Sequence, residues 1–221
     1  MLDVEGQLGA VARAVRTEEV DGEPTHIQTI GQEYPSPIDD VWEAVTTGER
    51  IARWFLPVSG DLRLGGRYQL QGNAGGEVLA CDPPRDGRAS YRVTWEYGPG
   101  VTWLTVRLTA IADDRTRVEL EHAARVADVP AGWWQQYGPG ATGIGWDHGL
   151  LGLALHLGTQ DVSIPPEEGA AWIASDEGAR FTRGAADRWA AAHVAGGGDP
   201  EAAGRAADAA YGFFTGRDPN G

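Results

Sequence analysis

Apolar residues recur along this chain with two different periods, and the change of period divides it. Residues 2–16, "LDVEGQLGAVARAVR", put Val4, Leu8, Val11 and Val15 on one helical stripe. That spacing predicts an amphipathic helix, broken by "VDGEP" at 20–24. "HIQTIGQEY" (26–34) reads as a first strand, stopped by Pro35 and Pro37. Ser36 as N-cap and Pro37 at the first helical position then predict a helix whose Ile38, Val41 and Val45 share a face. "GERIARWF" (48–55) predicts a second, shorter helix, ended by Pro57.

Beyond this point the period falls to two. "LGGRYQLQG" (64–72) is a turn and strand, and "GEVLACDPP" (76–84) a strand closed by its two prolines. "SYRVTWEYG" (90–98) sets Tyr91, Val93, Trp95 and Tyr97 opposite Arg92, Thr94 and Glu96. "VTWLTVRLTAI" (101–111) shares one face among Leu104, Val106 and Leu108. "RTRVELEHA" (115–123) does the same with Val118, Leu120 and His122. Alternation with one polar face predicts an antiparallel sheet solvated on one side.

"GWDHGLLGLALHL" (145–157) returns to the helical period, but with apolar residues on nearly every side. Trp146, Leu150, Leu153 and Leu157 form one stripe, and Gly145, Gly149, Gly152 and His156 the next. A helix of this kind must be covered on more than one side. A helical glycine costs about 1 kcal/mol relative to alanine, so the glycine row predicts close approach of a backbone or a ligand. Two further helices follow, over 175–196 and 199–216, the second with Asp199 as N-cap and Pro200 at its first position. The element order predicts an α+β fold, a curved antiparallel sheet wrapped on a long helix. Residues 1–24 are expected to be an N-terminal helical extension, 25–158 the sheet domain and 159–221 a C-terminal helical extension.

Composition narrows the function classes. The formal net charge of −14, with scattered arginines and no lysine, argues against a nucleic-acid partner and removes Schiff-base chemistry. The single cysteine, Cys81, allows no internal disulfide and no thiolate zinc site. The histidines carry no metal-ligand spacing, so neither a metal nor another cofactor is expected. Asp3 and Glu5 stand where a signal peptide needs positive charge, and no apolar run is long enough for a membrane span, so a cytoplasmic protein is expected.

Several of these motifs occur together in a known family. "SPIDDVWEAVTTGERIARWF" (36–55), "LRLGGRYQL" (62–70), "YRVTWEYG" (91–98), "TRVELEHA" (116–123) and "GWDHGLLGLAL" (145–155) carry the likeness. The chain resembles the START-like, or SRPBCC, superfamily, whose architecture is called a helix-grip. Within it, the chain is most similar to the branch named after the activator of the heat-shock-protein-90 ATPase. The resemblance implies a cavity for an apolar or amphipathic molecule between the sheet and the terminal helix. It also admits a cyclase- or hydrolase-type enzyme, and a stress-related co-chaperone or interaction module using the C-terminal helices for a partner or for self-association.

The expected ligand-binding set is Trp54, Phe55, Tyr68, Trp95, Tyr97, Leu120, His122, Trp146 and Leu150. His122, a polar group on an apolar strand face, is the candidate general base if there is catalysis. Asp147 and His148 point about 100° apart on a helix and cannot form a dyad, so Asp147 is expected to act at the helix N-terminus. No nucleophile–base pairing stands out, and the reading favours binding over turnover. Trp133 and Trp134 suit either a lid over the cavity or contact with the C-terminal helices.

Overall fold

The computed structural model describes residues 2–98, 100–158 and 164–217. Its helices are α1 (Val4–Ala10), α2 (Ile38–Thr46), α3 (Gly48–Ile51), α4 (Trp133–Tyr137), α5 (Gly140–His156), α6 (Gly169–Ala174), α7 (Asp176–Ala195) and α8 (Pro200–Thr215). Its strands are β1 (Ala12–Val20), β2 (Glu23–Tyr34), β3 (Val58–Gly60), β4 (Arg67–Leu70), β5 (Gly75–Arg85), β6 (Arg88–Tyr97), β7 (Gly100–Ala112) and β8 (Arg115–Arg125). All eight strands form one antiparallel sheet in the order β1-β2-β8-β7-β6-β5-β4-β3. The helix-grip arrangement expected from the sequence is present, with α5 lying against the sheet and α7 and α8 packed on the helix from outside.

Two expected elements change. The single helix over 2–16 is instead α1 followed by β1, which pairs with β2 from Ala12↔Gly31 to Val20↔Glu23. Val11 and Val15 lie four residues apart, a spacing that satisfies a helical stripe and a strand face equally well. Both are buried, while Ala12, Ala14 and Arg16 between and beyond them are exposed. The breaking "VDGEP" is the hairpin itself, with Asp21 and Gly22 both at positive φ (54° and 81°). Secondly, Pro83 and Pro84 do not close β5. The strand runs through them with an irregular register between Asp82 and Arg85. The short β4 pairs only with the first residues of β5, so these prolines sit on an edge that has no neighbour to bond.

Three polar contacts from β2 hold α5 in place. Tyr34, fully buried, donates its hydroxyl to the Leu150 carbonyl at 3.1 Å. Gln28 donates to the Pro139 carbonyl at 2.6 Å and accepts from the Thr142 hydroxyl at 2.5 Å. From the neighbouring strand β1, Arg13 forms a two-pronged ion pair with Asp147 of α5, which is wholly buried. The second prong, Arg13 Nε to Oδ2, is 3.2 Å long, and Trp189 Nε1 of α7 donates to the same oxygen at 2.8 Å. The remaining Arg13 nitrogen donates to the Val11 carbonyl at 2.9 Å. Asp147 is therefore no helix cap: α5 begins at Gly140, seven positions earlier than this residue. Two glycines of α5 allow the approach of its neighbours. A β-carbon at Gly143 would overlap the Trp189 ring, and one at Gly152 would overlap the Trp54 carbonyl.

Removing one partner of a buried pair strands the other charge, at a cost of about 3–5 kcal/mol. Asp147→Ala is expected to lower urea-unfolding stability by that amount, or to prevent folding. The double variant Arg13→Met/Asp147→Leu is expected to regain most of the loss. A cost below about 1 kcal/mol for Asp147→Ala, the range of an exposed pair, would show that the pair does not organise the fold.

Candidate functional site: an apolar cavity between sheet and helix

A cavity of about 150 Å³ lies between the concave face of the sheet and α5. Its floor is the alternating face of the central strands, including Val93 and Trp95 of β6, Leu104 and Val106 of β7, and Val118 and Leu120 of β8. The helix side is Trp146, Gly149, Leu150 and Leu153, the stripe that the 3.6-residue period brings to one face of α5. Phe55 packs over Gly149, where a β-carbon would sit 3.7 Å from its ring. The wall from the α2–α3 unit is fixed by Trp54, whose Nε1 donates to the Ala44 carbonyl at 2.9 Å. Tyr68 and Tyr91 stand at the β4–β6 end.

No carboxylate, guanidinium or imidazole side chain lines this space. Asp147 of α5 is paired with Arg13, and Arg50 of α3 with Asp40 at 2.6 Å and with His156 Nε2 at 3.2 Å. The interior is an apolar, low-dielectric space, with most of its polar atoms already bonded to protein.

Seven of the nine expected ligand-binding residues line the cavity: Trp54, Phe55, Tyr68, Trp95, Leu120, Trp146 and Leu150. Tyr97 does not. It is 67% exposed at the end of β6, beside the hairpin and past the region covered by helices. The alternation that turns Tyr91, Val93 and Trp95 inward continues to Tyr97, but the core under it does not. His122 is buried, yet lies behind the lining rather than in it. Trp146 can only donate, and its Nε1 lies 3.3 Å from His122 Nδ1, so Nδ1 accepts. Nε2 therefore carries the proton and donates to Thr102 Oγ1 at 2.8 Å, and Thr102 donates on to the Trp95 carbonyl at 3.1 Å. Both ring nitrogens are engaged, which leaves no free lone pair for a general base. The histidine holds Trp146 against Trp95, with the two indoles edge to face at 4.9 Å.

The tryptophans before α5 do not close the cavity. Trp134 stacks on His26 at 3.7 Å and meets His193 edge-on, and Trp133 packs on Tyr137 and Phe213. They belong to the contact with the C-terminal helices. Fifteen lining residues were not among the expected ligand contacts, Cys81 and Tyr91 among them. These two are cross-strand partners. The alternation of β6 already placed Tyr91 on the same face as Trp95, and that signal was sufficient to find it.

With this geometry in view, the comparisons with known proteins fall into place. A family model described as "Activator of Hsp90 ATPase homolog 1-like protein" matches residues 35–158. The chain belongs to this family. Within the solved structures, the family member shares its fold with CalU16 from Micromonospora echinospora. The crystal structure of CalU16 is 31% identical, with a TM-score of 0.62, covering 83% of this chain and 98% of that one. Its solution structure gives a TM-score of 0.66 at the same 31% identity, covering 85% and 97%. The likeness to CalU16 thus reaches beyond the residues matched by the family model. A conserved protein of unknown function from Enterococcus faecalis, EF2215, shares the fold at 12% identity and a TM-score of 0.52, covering 77% of this chain and 92% of its own. No curated protein matches the chain. No helix among the described residues is long and apolar enough to cross a membrane.

Burial pushes His122 down to about 4, from an ordinary value near 6.5. Between these values only the unfolded chain takes up the proton. The histidine's contribution to stability is therefore complete above about pH 6.5 and is lost as pH falls toward 4, amounting to about 3 kcal/mol across the window. His148, also pushed down to about 4 by burial, acts in the same sense. Denaturant unfolding from pH 7 to 4 should show this decline, and His122→Gln should flatten it by about one proton. An unchanged pH slope in that variant would mean that the ring is not held neutral.

Proposed function

We propose that this protein binds a small apolar or amphipathic molecule in the cavity between the sheet and α5. The single observation that supports the reading is the cavity itself, a space of about 150 Å³ walled mainly by aliphatic and aromatic side chains. Apolar cavities of this order stay dry and accept guests of the size of a benzene ring. Such a guest buries on the order of 150 Å² of apolar surface, about 4 kcal/mol, which corresponds to a dissociation constant of roughly 1 mM for a bare ring. A cognate molecule with more complementary surface would bind more tightly. The bonded state of His122 supports a binding site rather than an acid–base site, because the one histidine near the cavity is already committed on both nitrogens.

Calorimetric titration with ethylbenzene and related single-ring hydrocarbons should give one site per chain. Trp54, Trp95 and Trp146 line the cavity and should report the same event by fluorescence. Gly149→Leu directs a side chain toward Phe55 and the cavity, at a helix position where losing glycine is itself favourable. It should weaken binding tenfold or more while leaving the thermal midpoint no lower. Absence of binding across the hydrocarbon panel would rule the reading out.

A further inference from the structure

The polar atoms that border the cavity divide into those with a protein partner and those without. Thr46 donates to the Trp42 carbonyl at 2.6 Å, and Trp54 to the Ala44 carbonyl. Tyr68 donates to the Thr94 carbonyl at 2.7 Å, and Trp146 to His122. Trp95 Nε1 has no oxygen or nitrogen partner among the described residues, but its ring is seated edge to face on Trp146. Tyr91 is different. It lines the cavity from the middle of β6, between Cys81 of β5 and Val106 of β7, with the Trp42 ring edge-on at 6.2 Å. Its hydroxyl makes no hydrogen bond within the described residues. Its neighbours across both strands are a thiol and a valine, neither of which offers a good acceptor. The comparison with Tyr68 is instructive: two tyrosines enter the same cavity, and only one was given a backbone carbonyl.

Tyr91 is partly buried, and a hydroxyl that borders the cavity with no protein partner is a donor that a guest in the cavity can satisfy. The lining also contains no carboxylate, guanidinium or imidazole side chain. An ionised guest would lose its hydration and find no counter-charge. We infer that the ligand of this cavity is an uncharged molecule with an oxygen acceptor, a ketone, ether or ester type of group, which takes the hydrogen bond of the Tyr91 hydroxyl. This rests on the binding reading above and specifies its chemistry: apolar contact supplies the affinity, and Tyr91 selects and orients. Burial pushes the pKa of the Tyr91 phenol above its ordinary value, so the phenol keeps its proton and remains a donor at any physiological pH. Thiol and phenol face each other across the β5–β6 ladder, which gives this end of the cavity a polar tip in an otherwise apolar space.

The test uses three single-ring probes of nearly one shape: acetophenone, α-methylstyrene and benzoate. The first two differ by a carbonyl oxygen against a methylene, and the third replaces the methyl ketone by a carboxylate. Dissociation constants are measured by calorimetry at pH 7.5 on the full chain and on Tyr91→Phe. The two neutral probes differ in their own hydrophobicity, so the readout is the ratio of their affinities in each protein. That ratio should shift five- to tenfold against acetophenone in Tyr91→Phe, the worth of one net hydrogen bond. Benzoate should bind the full chain at least tenfold more weakly than acetophenone. An affinity ratio that is the same in both proteins would overturn the role of Tyr91, and benzoate binding as tightly as acetophenone would overturn the requirement for an uncharged guest. Failure of both neutral probes to bind would instead remove the cavity reading on which the inference rests.

Discussion

The Arg13–Asp147 ion pair, with Trp189 as its third member, is the constraint around which the molecule is arranged. It is buried, so its attraction is weakly screened, and it is also costly unless every hydrogen bond is made. Here the carboxylate receives both guanidinium prongs and an indole proton, and the guanidinium returns another to the Val11 carbonyl. The three side chains come from β1, α5 and α7, so the first strand, the central helix and the C-terminal helices meet at one point. The pair matters because α5 has no polar side. A helix apolar all round can rotate about its axis without losing much burial, and hydrophobic packing alone does not choose among those rotations. A single buried carboxylate does. Asp147 turned toward Arg13 places Trp146, Gly149, Leu150 and Leu153 over the sheet, and the Tyr34–Leu150 and Gln28–Pro139 bonds from the adjacent strand hold that orientation.

The same division of labour governs the cavity. Its apolar walls come from simple alternation, but their precise placement depends on polar groups one layer back. His122, Thr102 and Trp146 form a chain of donors and acceptors that ends on the Trp95 carbonyl, so the two indoles of the cavity are positioned by a histidine that does not line it. Trp54 is positioned in the same way by the Ala44 carbonyl and by the missing side chain at Gly152. The space is therefore a property of its supports as much as of its surface, and a change at Thr102 or Ala44 would be felt by a ligand that touches neither.

Much of this was legible in the sequence, and the misses share a cause. Period-two alternation located β6, β7 and β8 and the faces they turn inward, and the family motifs located α2, α3 and α5. The glycine row of α5 announced close packing, although which neighbour would fill each notch was a tertiary fact. Val11 and Val15 misled because a four-residue spacing belongs to both periods, and only the pairing with β2 decides between them. Tyr97 followed the alternation of its strand to a position where no layer covers it. The pairing of Asp147 with Arg13 spans 134 residues and leaves no local trace. His122 was found for a sound reason, that a polar group on an apolar face needs a partner. Its partners were protein groups from β7 and α5, which no local pattern could supply.

The residues that recur in the family, 35–158, hold the cavity and all of its lining, but they do not hold what neutralises Asp147. Arg13 lies before that span and Trp189 after it. The N-terminal segment is also bonded directly to α7, through Glu5 with Arg188 at 3.0 Å and the Leu2 amide with Glu177 at 3.2 Å. The unit of likeness and the unit of folding are thus different lengths of chain. An excised 35–158 fragment would carry an orphaned carboxylate in its central helix and, having lost β1 and β2, an uncovered edge on β8, so the flanks complete the fold of the part that resembles its relatives.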